Sequence, residues 1–238
     1  MSEIRMVVPD ELDKFLESQV RTGTFSSKAE LARAALTEYL ESISTVSGGY
    51  DEETVFSPEG RIYQMEYARE AGYRGKTVIG IEGKEEIVIA ADVTSPELGY
   101  ETEKIMRTDS GLLVSGSGLS LDMLKVIKEL ENYELNRYKD LKYALTEIFH
   151  DHSLSRKLRP LGTMLLIGAK FDDETYLVEV DSSGAHRRMK AGVLGNGKDE
   201  LEEKLSEKYE EEMDGEKCEG ICKDLLKEVD NLQIKKLS

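Results

Sequence analysis

The sequence predicts an α+β fold in which helices cover the outer faces of the sheets. Beyond about residue 76, hydrophobic patterning gives the order strands, two helices, strands, two helices and a final strand. Of the 238 residues, 39% are hydrophobic, which is enough for a packed core. A small polar segment that ends in two glycines, residues 42–49, is predicted to be a flexible linker after a shorter N-terminal unit.

Composition narrows the function classes. The net charge is −16, with 48 acidic against 32 basic residues, which argues against broad binding to nucleic acid or to anionic membranes. The N-terminus lacks a basic-then-apolar leader and no apolar run reaches membrane-spanning length, so the protein is predicted to be soluble and cytoplasmic, without a membrane partner. Cys218 and Cys222 lie one helical turn apart and are expected to be free thiols. No metal site and no cofactor are predicted.

Residues 1–41 are predicted to form strand, helix, turn and helix. Glu3 to Val8 alternate in hydrophobicity, Pro9 begins a helix that Gly23 ends, and the Ser27-Lys-Ala-Glu30 pattern of a capping box opens the second helix. The second helix is expected to carry Leu31, Ala35, Leu36, Tyr39 and Leu40 inward. So few residues cannot bury that much apolar surface alone, so the unit is predicted to dimerise or dock.

Two stretches of this unit, Val8-Pro-Asp-Glu-Leu12 and Phe25-Ser-Ser-Lys-Ala-Glu-Leu31, resemble the ribbon–helix–helix domain of small repressors and antitoxins. The resemblance implies a strand ribbon in the DNA major groove and a phosphate at the start of the second helix. The positions that match these contacts are Glu3, Arg5 and Val7 in the groove, and Ser26, Ser27 and Lys28 at the phosphate. This set suits base reading poorly, and the unit has five basic against eight acidic residues, so DNA binding and pure oligomerisation both stay open.

The segment Thr54–Ala71 is predicted to contain a short amphipathic helix. Ser57 is placed as its N-cap, and Pro58 follows at the position where a missing amide costs nothing. Ile62, Met65 and Ala68 then form one apolar stripe.

The rest of the chain divides into regular elements by periodicity. Ser120 is expected to begin a helix that runs to about Tyr138, with Leu121, Leu124, Ile127 and Leu130 buried, and a second helix follows from about Asp140 to Leu154. Two Glu/Lys-rich helices are expected after residue 195. Strands are predicted at Thr77–Glu82, Glu86–Val93, Lys104–Thr108, Leu112–Ser115, Thr163–Phe171, Tyr176–Val180, Ala185–Leu194 and Leu232–Lys236.

As a string, Thr54–Ala71 closely resembles the signature of proteasome α-type subunits, in which this helix packs between neighbours in a ring. The resemblance assigns ring assembly to Ser57, Pro58, Gly60, Arg61, Gln64, Met65, Glu66 and Tyr67. Residues 50–238 as a whole resemble the four-layer αββα sandwich of the N-terminal-nucleophile hydrolases, proteasome branch. Arg159-Pro-Leu-Gly-Thr163, Lys190-Ala191 and Gly195-Asn-Gly-Lys-Asp199 match the later landmarks of that family.

Catalysis in that branch uses an N-terminal threonine whose own amine is the base. The matching position here is Lys76, which follows Gly75 inside the chain. Asp92 and Lys104 fall at or close to the family's Asp and Lys, where an Asp–Lys pair can also be purely structural, and Asn196 stands in place of a serine. The chain is therefore predicted to be no enzyme. A self-processed hydrolase, with Thr77 released by cleavage after Lys76, is a third interpretation.

The resemblance further implies a role for Lys104. In α rings, a lysine at this position lines a pocket between neighbours and pairs with the C-terminal carboxylate of a regulatory ATPase. An ordinary solvated or intersubunit lysine is the alternative. The Tyr50-Asp51-Glu52-Glu53 stretch departs from the family, being one residue short with Glu in place of Arg, which puts the usual axial gate in question.

The leading hypothesis is a non-catalytic, archaeal proteasome α-type ring subunit that carries a ribbon–helix–helix module. Its expected partners are copies of itself, proteasome β subunits and a regulatory ATPase. The alternative is a DNA-binding transcription regulator that dimerises through residues 1–41 and uses the second domain as a sensor or oligomerisation body. Symmetry separates the two, because ribbon–helix–helix modules pair two by two whereas such rings have seven members.

Overall fold

The chain forms two compact units, residues 1–51 and 52–238. The computed structural model describes residues 7–22, 25–46, 50, 53–94, 97–100, 102–155 and 158–238. Within those ranges there are seven helices and nine strands. No helix in the described ranges is long and apolar enough to cross a membrane.

The N-terminal unit contains two helices, α1 (Asp10–Arg21) and α2 (Lys28–Val46), which pack against each other. Helix α2 continues to Val46, so the first five residues of the segment predicted as a linker are helical. Of the strand predicted at residues 3–8, residues 3–6 lie outside the described part, and Val7 and Val8 belong to no regular element.

The start of α2 shows half of the predicted capping box. The backbone N–H of Glu30 donates to Ser27 Oγ at 3.2 Å, as that motif requires. The Glu30 carboxylate, however, accepts hydrogen bonds from the N–H of Ser26, at 2.9 Å, and from the Ser26 hydroxyl. The return bond therefore reaches one residue further back than the motif predicts.

Apolar side chains of this unit remain uncovered within the described chain. Leu12, Phe15 and Leu36 are 44%, 58% and 44% exposed. Ala35 and Leu36 were expected to face inward, but both are exposed, because two short helices have one contact face between them. The side chains of Tyr39 and Leu40 lie outside the described part. Leu12, Phe15 and Leu36 are therefore accessible on the surface of the unit.

The second unit is built on two antiparallel sheets. The first has the strand order β8-β1-β2-β9 and the second has the order β3-β4-β5-β6-β7. The strands are β1 (Val78–Glu82), β2 (Ile87–Asp92), β3 (Met106–Arg107), β4 (Leu113–Gly118), β5 (Thr163–Phe171), β6 (Glu174–Val180), β7 (His186–Met189), β8 (Ala191–Leu194) and β9 (Leu232–Leu237). The helices are α3 (Tyr63–Tyr73), α4 (Ser120–Leu130), α5 (Tyr138–Leu154), α6 (Lys198–Lys208) and α7 (Gly215–Leu225).

Three hydrophobic clusters order these elements into layers. Helices α4 and α5 bury residues such as Leu145 and Phe149 against the second sheet. The two sheets enclose a middle cluster that includes Ile89 and Leu166. Helices α6 and α7 cover the other face of the first sheet, where Ile221 belongs to the third cluster. The order is helix, sheet, sheet, helix, because each sheet buries both of its faces.

The run Ala185–Leu194 was predicted as one strand, and the structure divides it. Strand β7 pairs with β6 in the second sheet, whereas β8 pairs with β1 in the first. Lys190 lies at the crossing, and its carbonyl oxygen accepts a hydrogen bond from the N–H of Glu82 at 2.8 Å. One short segment of chain therefore joins the two sheets at this edge.

Helix α4 is shorter than predicted and buries a different face. It ends at Leu130 instead of about Tyr138. Ile127 and Leu130 are buried as expected, but Leu121 and Leu124 are exposed. Their places in the core are taken by Met123 and Val126. Apolar residues lie on both sides of this helix, so periodicity alone placed two of the four predicted positions correctly and two wrongly.

Candidate functional site

A cavity of about 580 Å³ opens where the chain enters β1, beside the end of β4 and the start of α4. Its charged wall includes Arg74, Lys76 and Lys104. Its apolar wall includes Val93, Met106, Leu119, Met123 and Leu124. A concave, partly apolar space with a few converging charges is the usual form of a binding site.

Lys76, at the predicted nucleophile position, is an internal residue held by its neighbours. Its ammonium forms an ion pair with Asp92 Oδ1 at 2.8 Å and donates to the carbonyl oxygen of Val93 at 3.1 Å. The chain before it is fixed as well, since the carbonyl oxygen of Gly75 accepts from the N–H of Asn196 at 2.9 Å. The next side chain, Thr77, is buried, and its hydroxyl donates to the carbonyl oxygen of Asn196 at 2.7 Å.

Lys104 lies beside this pair but is bound to backbone only. Its ammonium donates to the carbonyl oxygens of Lys76 and Asp92, at 2.9 and 3.2 Å. Gln233 on β9 fixes the backbone here, because its Oε1 accepts from the N–H groups of Lys104 and Ile105, at 2.9 and 2.7 Å. An Asp92–Lys104 pair was considered from the sequence; the Asp92 carboxylate pairs with Lys76 instead.

The environment shifts the pKa of Lys104. Burial lowers this pKa to about 8, the Asp92 carboxylate opposes the shift, and the Lys76 ammonium adds to it. At pH 7 an amine with this pKa is still about nine-tenths protonated. The cavity therefore presents a cation near neutral pH, and that cation loses its proton more readily than an ordinary lysine.

Glycines permit the close backbone approach that shapes the cavity. A Cβ on Gly75 would lie 2.1 Å from the backbone nitrogen of Gly118. Gly118 itself has φ +110°, and its Cβ would lie 2.2 Å from the carbonyl oxygen of Gly162. Because Gly118 has no side chain, the end of β4 can lie against the backbone of Gly162, the residue just before β5.

Asp122 and Arg159 form a support below the cavity that sequence reasoning missed. The Arg159 guanidinium donates to both Asp122 oxygens, at 2.6 and 2.8 Å, and Asp122 Oδ2 also accepts from the N–H of Gly162 at 2.7 Å. Burial alone would raise the pKa of Asp122, but these hydrogen bonds outweigh it and lower that pKa. Arg159 opens the motif Arg159–Thr163, so its pairing with α4 explains why an arginine stands there.

The segment before α3 is a closed turn instead of a helix start. The N–H of Ser57 donates to the carbonyl oxygen of Arg61 at 2.7 Å, and Ser57 Oγ accepts from the N–H of Arg61 at 3.2 Å. Gly60 has φ +78° within this turn. The N-cap predicted at Ser57 is therefore wrong: α3 begins at Tyr63, with Ile62 at the cap position.

Helix α3 lies on β4 and β5 with one face buried. Met65 and Ala68 are buried there, as the apolar stripe predicted. Arg61 Nε donates to Glu66 Oε1 at 2.8 Å, and its guanidinium carbon lies 4.9 Å from the ring centre of Tyr63. Tyr67 is 54% exposed, whereas Met65 is enclosed by its own unit.

Two family models match most of the chain. The family model for proteasome subunits matches residues 73–236, and the model for the N-terminal signature of the α-type members matches residues 50–71. The chain belongs to the proteasome α-subunit family. The proteasome α subunit of Methanobrevibacter smithii is 34% identical, with 70% of this chain and 72% of the relative covered. That of Methanococcus vannielii is 36% identical, with 70% of each chain covered.

This proteasome α-type chain thus has a mixed α/β proteasome-type fold with two antiparallel sheets. Residues 1–49 precede both matched ranges. Among the residues predicted to contact DNA, Glu3 and Arg5 lie outside the described part, and Val7 is fully exposed.

The predicted phosphate position in the N-terminal unit is already occupied by acids of the same unit. Lys28 Nζ forms ion pairs with Asp13 and Glu17, both at 2.8 Å. Ser26 and Ser27 make the hydrogen bonds with Glu30 described above. The lysine that the ribbon–helix–helix resemblance assigned to a phosphate is therefore paired with two carboxylates of its own unit.

The two cysteines of this proteasome α-type chain lie in the layer between α7 and the first sheet. Both are buried, and burial raises the pKa of Cys218 to about 11 and that of Cys222 to about 12. Thiols with such pKa values are poor nucleophiles. Within the described ranges, no group of three or more His, Cys, Asp or Glu residues could hold a metal ion.

Proposed function

We propose that the chain is a non-catalytic α-type ring subunit of a cytoplasmic, archaeal proteasome, with β subunits and a regulatory ATPase as partners. The observation that carries the proposal is the state of Lys76. The residue at the nucleophile position is internal, and its ammonium is held by Asp92. Without a free amine at that position, the base of the family's threonine chemistry is missing.

We further assign the docking of a partner's C-terminal carboxylate to Lys104. Among the described side chains none forms an ion pair with Lys104, because Asp92 is engaged by Lys76. The apolar wall next to it suits the last side chains of a peptide. A carboxylate can accept a charge-assisted hydrogen bond from the remaining ammonium proton.

Replacing Lys104 by Ala is expected to weaken binding of such a peptide at least about tenfold, since it removes the charged partner of the carboxylate. The probe is a fluorescein-labelled Ser-Gly-Ser-Leu-Phe-Leu peptide with a free carboxylate, measured by fluorescence anisotropy at pH 7. The same peptide with a C-terminal amide should bind the wild type as weakly as the acid binds the variant.

Lys125→Ala is the matched control, because Lys125 lies on α4 outside the cavity wall and pairs with Glu129. It should leave the affinity for the free-acid peptide unchanged. Equal affinity of the wild type for acid and amide would refute carboxylate docking at Lys104.

Ring assembly is assigned to the exposed side of α3. Met65 is buried in its own unit, so a charge there would unfold the protein, and Tyr67 is the better test position. The wild type should have a native mass near seven or fourteen times 26.8 kDa. Tyr67→Asp should give folded, smaller species by native mass spectrometry, since a buried charge at an interface is costly.

Tyr143→Asp is the control, because Tyr143 is similarly exposed but lies on α5. Rings should survive that change and also the removal of residues 1–45. A wild-type dimer that falls to monomer when residues 1–45 are removed would contradict the ring and favour the regulator alternative.

The N-terminal unit is proposed to be a ribbon–helix–helix module that pairs with another copy. Its two helices and the exposed Leu12, Phe15 and Leu36 support this role. The ion pairs of Lys28 with Asp13 and Glu17 support oligomerisation over DNA binding. Because modules pair two by two and a seven-membered ring is odd, complete pairing requires two rings.

A further inference from the structure

Two lysines of the cavity wall, Lys76 and Lys104, lie next to Asp92, which is just behind the wall and contacts them unequally. The Asp92 carboxylate lies 2.8 Å from the Lys76 ammonium, and Asp92 touches Lys104 only through its backbone oxygen, at 3.2 Å. The other charges of this wall are balanced by their own partners: Arg74 pairs with Glu70 at 2.7 Å, and Glu103 pairs with Lys235. The group formed by Lys76, Asp92 and Lys104, here called the cavity triad, therefore sets the local charge.

We propose that Lys76 is a positioning residue that raises the affinity of the cavity for carboxylates by holding Asp92 away from Lys104. The inference rests on the docking function proposed above. With Lys76 present, the cavity triad has a net charge of +1 and Lys104 stays available to an anion. A neutral residue in its place leaves Asp92 without this partner and brings the net charge of the triad to zero.

Loss of Lys76 has two opposing consequences for the affinity of the cavity for a carboxylate. Loss of Lys76 lets Asp92 pair with Lys104, which raises the pKa of Lys104 above its value of about 8. At pH 7 this adds little charge, because the amine is already about nine-tenths protonated. The same pairing neutralises the amine toward a ligand. We therefore expect Lys76→Thr to weaken binding of the free-acid peptide about tenfold at pH 7. This is the size of a partly screened charge interaction.

A double-mutant cycle in the full-length chain separates positioning from direct contact. Asp92→Asn should raise the affinity for the Ser-Gly-Ser-Leu-Phe-Leu peptide at pH 6. The lower pH is needed because loss of the Asp92 carboxylate lowers the pKa of Lys104, and the triad carries +2 only where Lys104 keeps its proton. Lys76→Thr combined with Asp92→Asn should restore about the wild-type affinity, since the triad is again +1. Lys76→Arg, which keeps the ion pair with Asp92, should bind like the wild type.

A second measurement does not depend on the peptide. The rate at which Lys104 is acetylated by trace acetic anhydride, followed by mass spectrometry between pH 6 and 11, reports its pKa. In Lys76→Thr that pKa should rise toward the ordinary lysine value, and in the double variant it should rise less. Thermal denaturation checks that each variant is folded.

The outcomes distinguish this inference from the docking function. If neither the wild type nor any variant binds the peptide but the Lys104 pKa rises in Lys76→Thr, the docking function is overturned and the electrostatic role of Lys76 stands. If the double variant binds as weakly as Lys76→Thr, Lys76 contacts the ligand itself and the positioning role is overturned. An unchanged pKa and affinity in Lys76→Thr would also overturn it.

Discussion

Gly118→Ala is expected to lower the free energy of unfolding by about 3 kcal/mol or more, because it combines backbone strain with a clash. Gly118 has φ +110°, and the added Cβ would lie 2.2 Å from the carbonyl oxygen of Gly162. That oxygen accepts a hydrogen bond from the N–H of Leu119 at 2.8 Å, so it cannot move without losing this contact. Urea denaturation followed by circular dichroism measures the change.

Two other glycines separate the strain from the clash. Gly111 has φ +86° with nothing within 4 Å of an added Cβ, so Gly111→Ala should cost only about 1 kcal/mol. Gly220 lies inside α7, also with nothing within 4 Å, and Gly220→Ala should stabilise the protein by about 0.5–1 kcal/mol. A Gly118→Ala variant no less stable than Gly111→Ala would mean that the backbones of Gly118 and Gly162 are not in close contact.

Asp122→Ala is expected to cost about 3 kcal/mol, because it removes one partner of a partly buried ion pair and leaves the N–H of Gly162 without an acceptor. The Asp122 side chain is 8% exposed and that of Arg159 is 56% exposed, which keeps the estimate below the value for a fully buried pair. Asp109→Ala is the control, because Asp109 is exposed in a turn and should change stability by less than about 0.5 kcal/mol.

The same pair predicts a pH dependence. The pKa of Asp122 in the folded protein lies below its ordinary value of 3.8. Its contribution is therefore fully present above that pH and is lost as the pH falls through the folded-state pKa. The difference in unfolding free energy between wild type and Asp122→Ala should be constant from pH 5 to 7 and shrink below pH 3.8. A difference that grows toward acid would contradict this account of the pair.

Elements whose signal is local were predicted best. The bounds predicted for β5, Thr163–Phe171, agree with the structure, because a Gly precedes the run and a two-residue turn of left-handed Asp172 and Asp173 ends it. The two predicted strands before residue 94 also formed as an antiparallel pair. Asp92 and Lys104 were identified from positions matched to the family, not from periodicity. The structure brings them together, since the Lys104 ammonium donates to the carbonyl oxygen of Asp92.

Features that depend on distant parts of the chain were not predictable from local patterns. Ala185–Leu194 was predicted as one strand, and only the positions of the neighbouring strands decide that the sheet changes at Lys190. Asp92 pairs with Lys76 and not with Lys104. This depends on how the three side chains are oriented at short range, which one sequence does not give. The turn at Ser57 used the same residue types as a helix cap for a different set of hydrogen bonds.

The pairing of β2 with β9 has a consequence for synthesis of the chain. Asp92 pairs with Leu232, which lies 140 residues later, so one edge of β2 has no partner while that length of chain is made. At about 5–20 residues per second, the ribosome takes roughly 7–28 s to make it. Strand β2 is an almost wholly apolar run, Ile87–Asp92, and an unpaired apolar edge is a site of aggregation. Pairing with β1 covers only the other edge of β2, so we expect the edge that later meets β9 to stay open to pairing with other chains until β9 emerges.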